Sequence, residues 1–365
     1  MRVLVFEPNN HHFEILPGFC KLFEKLGYKV DLLVRDHTAF GDEFCRAQIS
    51  VRVFHYENDG YVALGARLKE EKYNFVFISS YDHIDNGKLV NSVKRIEEVN
   101  LKIPYIGCFH DLSNIGQFEN IDLLKKGRIV TLSEYKYNGT DIPMVNPQYF
   151  NEIVERYHKN NVTSFVMVGT NIWRNELEHS LDSKRLKDID FSIDSIGSFD
   201  REKYRKNRLK RMVFYPLAKT FHISKYSNPC MKPATQTAVQ HIKNTGKLSF
   251  SEMYNTIENS DFILLNIKVN PNTDFITRKT SGSKQLALGF NKPPIMPEEI
   301  AKAYGFDNTN AVVYSEGHLD EALFRACCLG DQEYQHMTDS LKSLAEIIEK
   351  KSLVNLQKVI KSILP

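Results

Sequence analysis

The chain has 365 residues, 42% apolar and 25% charged, with a formal net charge of +3. That length exceeds one ordinary core and favours two α/β domains, while so mild a charge excludes a dedicated nucleic-acid binder, whose cations would be denser and clustered. The six cysteines (Cys20, Cys45, Cys108, Cys230, Cys327 and Cys328) form no CxxC pair, which fits a reduced, cytosolic compartment.

The opening MRVLVFEPNN is too soon interrupted to be a signal peptide. No apolar run reaches the roughly 20 residues of a membrane span. RVLVFE (2–7) reads as a buried parallel strand. After the polar loop PNNHH come Phe13, Leu16, Phe19, Cys20, Phe23 and Leu26 at helical spacing, closed by Gly27. YKVDLLV (28–34) is the next strand and completes a βαβ unit. VRVFHY (51–56), FVFISS (75–80), PYIGCF (104–109), RIVTLS (128–133) and IPMVN (142–146) continue the strand rhythm, with a helix expected over 86–100. This first domain, 1–147, is a doubly wound parallel sheet.

Residues 148–164 are polar and read as a linker. FVMVGT (165–170) restarts the pattern. A helix over 174–187, FSIDSIG (191–197), a basic helix, KLSF (247–250), another helix, DFILLNI (261–267), PPIM (293–296) and AVVYSE (311–316) build a second domain, 165–350. Residues 212–243 read as an irregular insertion. Two amphipathic helices, 331–350 and 353–364, end the chain, and 351–365 is expected to return to the first domain.

TRKTSGSKQLALGFNKPPIM (277–296) sets Thr280, Ser281, Gly282 and Ser283 directly before an apolar helix. The arrangement suits a serine N-cap. It equally suits an anionic ligand, because a helix N-terminus presents unpaired N–H groups and Arg278, Lys279 and Lys284 add charge. Asp188-Ile-Asp190 spells DxD but precedes a strand, at the wrong sheet end for a metal site. The twelve histidines show no HxH or HxxxH spacing, so no metal is expected. The run KYRKNRLKR (203–211) reads first as a solvated helix face, and as an anionic-membrane contact second.

Several of these segments resemble the GT-B glycosyltransferases. FVMVGTNIWR looks like the first strand and glycine turn of that family's donor domain, with Arg174 as its basic residue. NTGKLSFSEMYNTIENSDFILL (244–265) is similar to the segment that holds the nucleobase, and TSGSKQLALGFNKPPI to the donor-phosphate loop and helix, with Asn291 where glycine is usual. IPYIGCFHDLSNI and GRIVTLSEY resemble acceptor-domain strands and loops. The resemblance implies two Rossmann-like domains facing across a cleft. It places Gly169, Thr170, Arg174, Gly246, Lys247, Leu248, Thr280, Ser281, Gly282, Ser283 and Lys284 around the donor. Retaining members often carry two glutamates here; this chain has Gln285 or Leu286 at the helix start and no loop glutamate. That favours inversion, which needs a general base on the acceptor hydroxyl. His12 or His11, just after the first strand, supplies one. Glu14, Asp111 or Asp82 would orient it. Asn10, Glu14, Tyr81 and His110 are the acceptor-side candidates.

The expected function is therefore metal-independent, inverting transfer from a nucleotide-diphosphate sugar to a glycan or lipid-linked hydroxyl. It would take place in the cytoplasm, with peripheral attachment to the membrane's inner face as an option. Two alternatives stand beside it: a non-hydrolysing UDP-N-acetylglucosamine 2-epimerase, and a non-catalytic sugar-nucleotide or glycan-binding subunit.

Overall fold

β1 (Arg2–Phe6) is apolar on both faces because both are covered. Val3 and Val5 join one core layer with Phe19, Phe23, Phe75 and Phe77, and Leu4 and Phe6 join the other with Tyr61, Val76 and Ile78. The structure, a computed structural model, describes residues 1–9, 12–35, 49–82, 84–85, 88–89, 91–99, 102–116, 118–148, 161–169, 174–197, 201–220, 240–265, 267 and 274–364. They fall into two compact units. The first is Met1–Val154, Asp274–Gly289 and Ser343–Pro365; the second is Glu155–Thr273 and Phe290–Lys342. Residues 149–160 of the expected linker lie outside the described residues.

In the first unit β1 is followed by β2 (Lys29–Arg35), β3 (Arg52–Tyr56), β4 (Phe75–Ile78), β5 (Tyr105–Phe109) and β6 (Ile129–Thr131). All are parallel, in the order β3-β2-β1-β4-β5-β6. This doubly wound order reverses direction between β1 and β4, so the loops leaving those two strands diverge. Pro17 starts the helix Leu16–Lys25, whose Phe19 and Phe23 pack on Phe77. The helix expected over 86–100 is shorter, Ser92–Glu98, because Asn91 caps it by accepting from Lys94 N. IPMVN is also no sheet strand: Ile142 ends a hairpin with Tyr135–Tyr137, and Met144 makes a single bridge to Thr131.

The two terminal helices expected from sequence are one, Asp331–Ile363. Lys350-Lys351-Ser352 contains no breaker. Ser352 stays helical by donating its hydroxyl to Ile348 O (2.8 Å), while its oxygen accepts from Asn146 N (3.0 Å). Leu356, Val359, Ile360 and Ile363 complete the first unit's core layer.

The second unit repeats the topology. β7 (Thr163–Val168), β8 (Phe191–Ile196), β9 (Ile242–Gly246), β10 (Phe262–Leu264), β11 (Pro294–Pro297) and β12 (Val312–Tyr314) lie parallel in the order β9-β8-β7-β10-β11-β12. KLSF is not a strand. Ser249 and Glu252 form a capping box that opens the helix Phe250–Asn259, and the strand ends one residue earlier at Gly246. The helix expected over 174–187 stops at Leu181, with a 3₁₀ turn Lys184–Leu186 after it. Part of the expected insertion is ordered helix, Arg201–Thr220; residues 221–239 lie outside the described residues. Asn291 adopts φ 50°, a left-handed conformation asparagine accepts, so the usual glycine is not required there.

Gly18 has no room for a side chain: an added Cβ would lie 2.5 Å from Gln148 O and 2.7 Å from Pro147 O. Both are backbone atoms, so the helix must shift. Gly18→Ala is expected to destabilise the protein by about 1–3 kcal/mol, read as a lower urea midpoint.

Candidate active site

The divergence of the loops after β1 and β4 opens a cavity of ≈ 380 Å³ in the first unit. His12, Glu14, Asp82, His110 and Asp111 line it, together with Thr280, Gly282 and Gln285 from the 274–289 segment; Ile15, Leu132 and Phe275 give it apolar walls. A histidine from the first loop and the Thr280 hydroxyl from a segment more than 260 residues later in the numbering therefore share one space.

His12 sits at φ 63°, ψ 25° and heads the short 3₁₀ turn Phe13–Ile15. Its ring lies 4.4 Å from that of His110, and its Nδ1 is 3.6 Å from Glu14 Oε1. Its side chain is 43% exposed and lines the cavity. Burial pulls its pKa down, but contact with Glu14 and the charges of Glu14, Glu7 and Asp82 outweigh this and hold it above 6.5. His110 is the opposite case. Burial, then the charge of His12, push its pKa down to about 3, so it is neutral at physiological pH. Its Nε2 faces Ser79 O at 2.7 Å. A carbonyl only accepts, so Nε2 carries the proton and Nδ1 is left as an acceptor.

Asp82 anchors the loop after β5. Its carboxylate accepts from His110 N (3.0 Å) and Asp111 N (2.7 Å), yet burial still raises its pKa to about 6. Asp111 is not the partner of a histidine. Its carboxylate meets Lys279 Nζ at 3.0 Å and Arg278 Nε at 3.7 Å, and Leu112 N donates to Arg278 O at 3.1 Å. Burial raises its pKa, and the Ser113 N–H and Lys279 more than reverse that. Asp111 thus ties down the 278–279 segment, and Glu14 is the carboxylate beside His12.

The 280–284 hydroxyls and cation are largely engaged. Thr280 Oγ1 donates to Ser133 Oγ (2.7 Å), and Lys284 Nζ donates to the same oxygen (3.1 Å). Tyr135 donates to Lys279 O, and Ser281 Oγ accepts from Ser283 N (3.3 Å). Lys284 is 3% exposed, and burial lowers its pKa to about 8. Thr280 and Gly282 reach the cavity; Ser281, Ser283 and Lys284 support the loop. Gln285 also reaches it, buried, with an amide oxygen that has no hydrogen-bond partner among the described residues.

Tyr81, expected to meet an acceptor, is instead a core residue. It is 2% exposed, its ring packs on Tyr105 and Phe109, and the absent side chain of Gly107 makes room for it. In the second unit, Gly169 (φ 109°) and Gly246 (φ 76°) lie at the carboxyl ends of β7 and β9. Gly197 is obligatory beside them, since a Cβ would fall 2.3 Å from Gly169 O. Lys247 is exposed, Leu248 half-buried, and Arg174 opens its helix. Asn10, His11, Thr170 and the side chain of Arg174 lie outside the described residues. Among the described residues no group of three or more His, Cys, Asp or Glu could hold a metal ion, and no helix is long and apolar enough to cross a membrane.

Sequence reasoning passed over Glu7. It directly follows β1 and is fully buried, accepting from Ser79 Oγ (2.8 Å), Ser80 Oγ (2.6 Å) and Asn9 N (2.7 Å). Burial dominates those hydrogen bonds and the charge of His12, lifting its pKa to about 7. A charged residue closing an otherwise apolar central strand was the available signal.

No protein-family model matches the chain, and no curated protein matches it in sequence. Solved structures do match over its whole length. A glycosyltransferase from Rickettsia africae is 13% identical with a TM-score of 0.59, covering 99% of this chain and 98% of that one. The fold is GT-B. HepE of Anabaena, crystallised with UDP-glucose, is 11% identical with a TM-score of 0.56, covering 99% and 100%. Sucrose-phosphate synthase from Thermosynechococcus elongatus is 8% identical with a TM-score of 0.54, covering 99% and 98%. Against these GT-B structures the chain keeps the architecture while sharing little sequence.

Glu7 sets a pH dependence of stability. In the unfolded chain it ionises near 4.5 and in the native state near 7, so the native state holds the extra proton in between. Stability therefore falls as pH rises through that window. Glu7→Gln should abolish the slope. Urea unfolding is expected to show the variant close to the parent at pH 4 and more stable, by up to about 3 kcal/mol, at pH 8.

Proposed function

We propose that this protein is a glycosyltransferase that moves a sugar from a nucleotide-diphosphate sugar to an acceptor hydroxyl, with inversion and without a metal. The observation that carries the reading is the convergence of His12 and Glu14 with Thr280, Gly282 and Gln285 on one cavity of the first unit. The GT-B fold, whose solved examples include HepE with UDP-glucose, supports it.

In this reading His12 is the general base. Nδ1 faces Glu14, which leaves Nε2 to take the proton of the acceptor hydroxyl. The acceptor oxygen forms its bond to the anomeric carbon from the face opposite the leaving group. The bond from that carbon to the diphosphate oxygen breaks, and the electron pair leaves with the nucleotide. Charge on the leaving diphosphate would be met by the N–H groups opening the Gly282–Phe290 helix and by Lys279. His110 stays neutral beside His12, so it does not oppose the imidazolium that forms. Gln285 Oε1 would accept from a sugar hydroxyl.

A second reading gains from the site's carboxylates. Glu14 and Asp82 at the cavity wall are the acid–base groups a UDP-N-acetylglucosamine 2-epimerase would use. Product analysis separates the two: an epimerised but intact sugar nucleotide supports epimerisation, and free UDP with a new glycoside supports transfer.

Three results are expected. A uridine nucleotide should raise the thermal midpoint where CMP does not; no response to any nucleotide would sink both readings. His12→Ala should lower kcat by roughly 10²–10⁴-fold and abolish the rise of rate with pH expected as the parent's imidazole deprotonates; full kcat with an unchanged profile would exclude His12 as the base. Gln285→Leu should weaken productive sugar binding by about 0.5–1.5 kcal/mol in kcat/KM, with nucleotide affinity unchanged.

A further inference from the structure

The helix Arg201–Thr220 of the second unit buries an arginine and exposes a cluster of apolar side chains. Arg211 marks the inward side. It is 5% exposed, and its Nη2 donates to Glu178 Oε2 at 3.2 Å; Glu178 is fully buried. Tyr215, one turn later on that side, is half-buried. Leu209, Met212, Val213 and Leu217 recur at i, i+3, i+4 and i+8 on the other side, with Phe214 at its edge, all between 46% and 63% exposed. Five of the ten large apolar side chains exposed among the described residues therefore sit on this one helix, which is a cluster rather than scatter.

Charge says what covers it. Lys206 and Lys210 are exposed and share a face with Val213 and Leu217, at i, i+4, i+7 and i+11. The sequence adds Lys203, Arg205 and Arg208 in the same half, opposed only by Glu202. A second copy meeting this face isologously would set like charges together. An anionic bilayer satisfies both halves: the lysine stems lie along the acyl boundary with their ammonium heads at the phosphates, and the leucine and valine side chains enter the hydrocarbon.

We propose that this helix lies flat on an anionic lipid surface and attaches the protein to it. The buried Arg211–Glu178 pair fixes the helix's rotation, so the lipid-facing side is preset in the free protein. The attachment does not depend on which sugar reaction the first unit performs.

The test is sedimentation of the full chain with vesicles of phosphatidylcholine alone and of an equal mixture of phosphatidylcholine and phosphatidylglycerol. Binding to the mixed vesicles, released by salt, is expected, with none to phosphatidylcholine alone. Val213→Glu with Leu217→Glu, and separately Lys206→Glu with Lys210→Glu, should each weaken that binding by roughly tenfold or more. All four side chains are exposed, so circular dichroism and the nucleotide-induced thermal shift should stay as in the parent. Failure to bind either vesicle, equal binding to both, or binding that neither double variant weakens overturns the proposal. So does a concentration-dependent dimer that Val213→Glu with Leu217→Glu dissociates, which assigns the face to a second copy.

Discussion

In a parallel sheet ordered β3-β2-β1-β4-β5-β6, the connections from β1 and β4 must leave in opposite directions. Side chains at their own ends and the 274–289 segment line the gap between them. That constraint decides what the site can be made of. Glu7 closes β1, Ser79 and Ser80 follow β4, and His110 and Asp111 follow β5. The polar groups meet because their strands end side by side, and the apolar strands behind them hold the spacing.

The same geometry accounts for the electrostatics. Carboxylates and imidazoles taken from water at a strand end are desolvated by the core below, so neutral forms are favoured. Glu7 and Asp82 are both shifted up on this ground, and His110 is shifted down. His12, lining the cavity with Glu14 beside it, escapes that trend and keeps a pKa above 6.5. Neighbouring groups are thus spread across a wide pH range by depth together with the charges beside them.

Much of this was legible in the chain. RVLVFE, FVFISS and PYIGCF each hold a short apolar run, YKVDLLV one interrupted by Asp31, and each supplies a strand of the first sheet. Boundaries fared worse where a side chain, rather than periodicity, ended the element. Asn91 and Ser249 each capped a helix inside a stretch whose pattern ran on. At the site, His12, Glu14, His110, Thr280 and Gly282 were readable as loop residues after strands or before a helix. Tyr81 was misplaced by the same logic, because its ring turns back over Gly107 and a missing side chain casts no pattern. The pairing of Asp111 with Lys279, more than 160 positions apart, left no local trace.

His12 carries a further consequence. Its backbone holds φ 63°, ψ 25°, a region glycine enters freely and a branched or bulky residue enters at a cost of about 1–2 kcal/mol. The tight start of the 3₁₀ turn demands that conformation, and it also throws the imidazole toward His110 and Glu14. The fold is locally less relaxed than a glycine would make it, and the imidazole's aim is what that tension maintains.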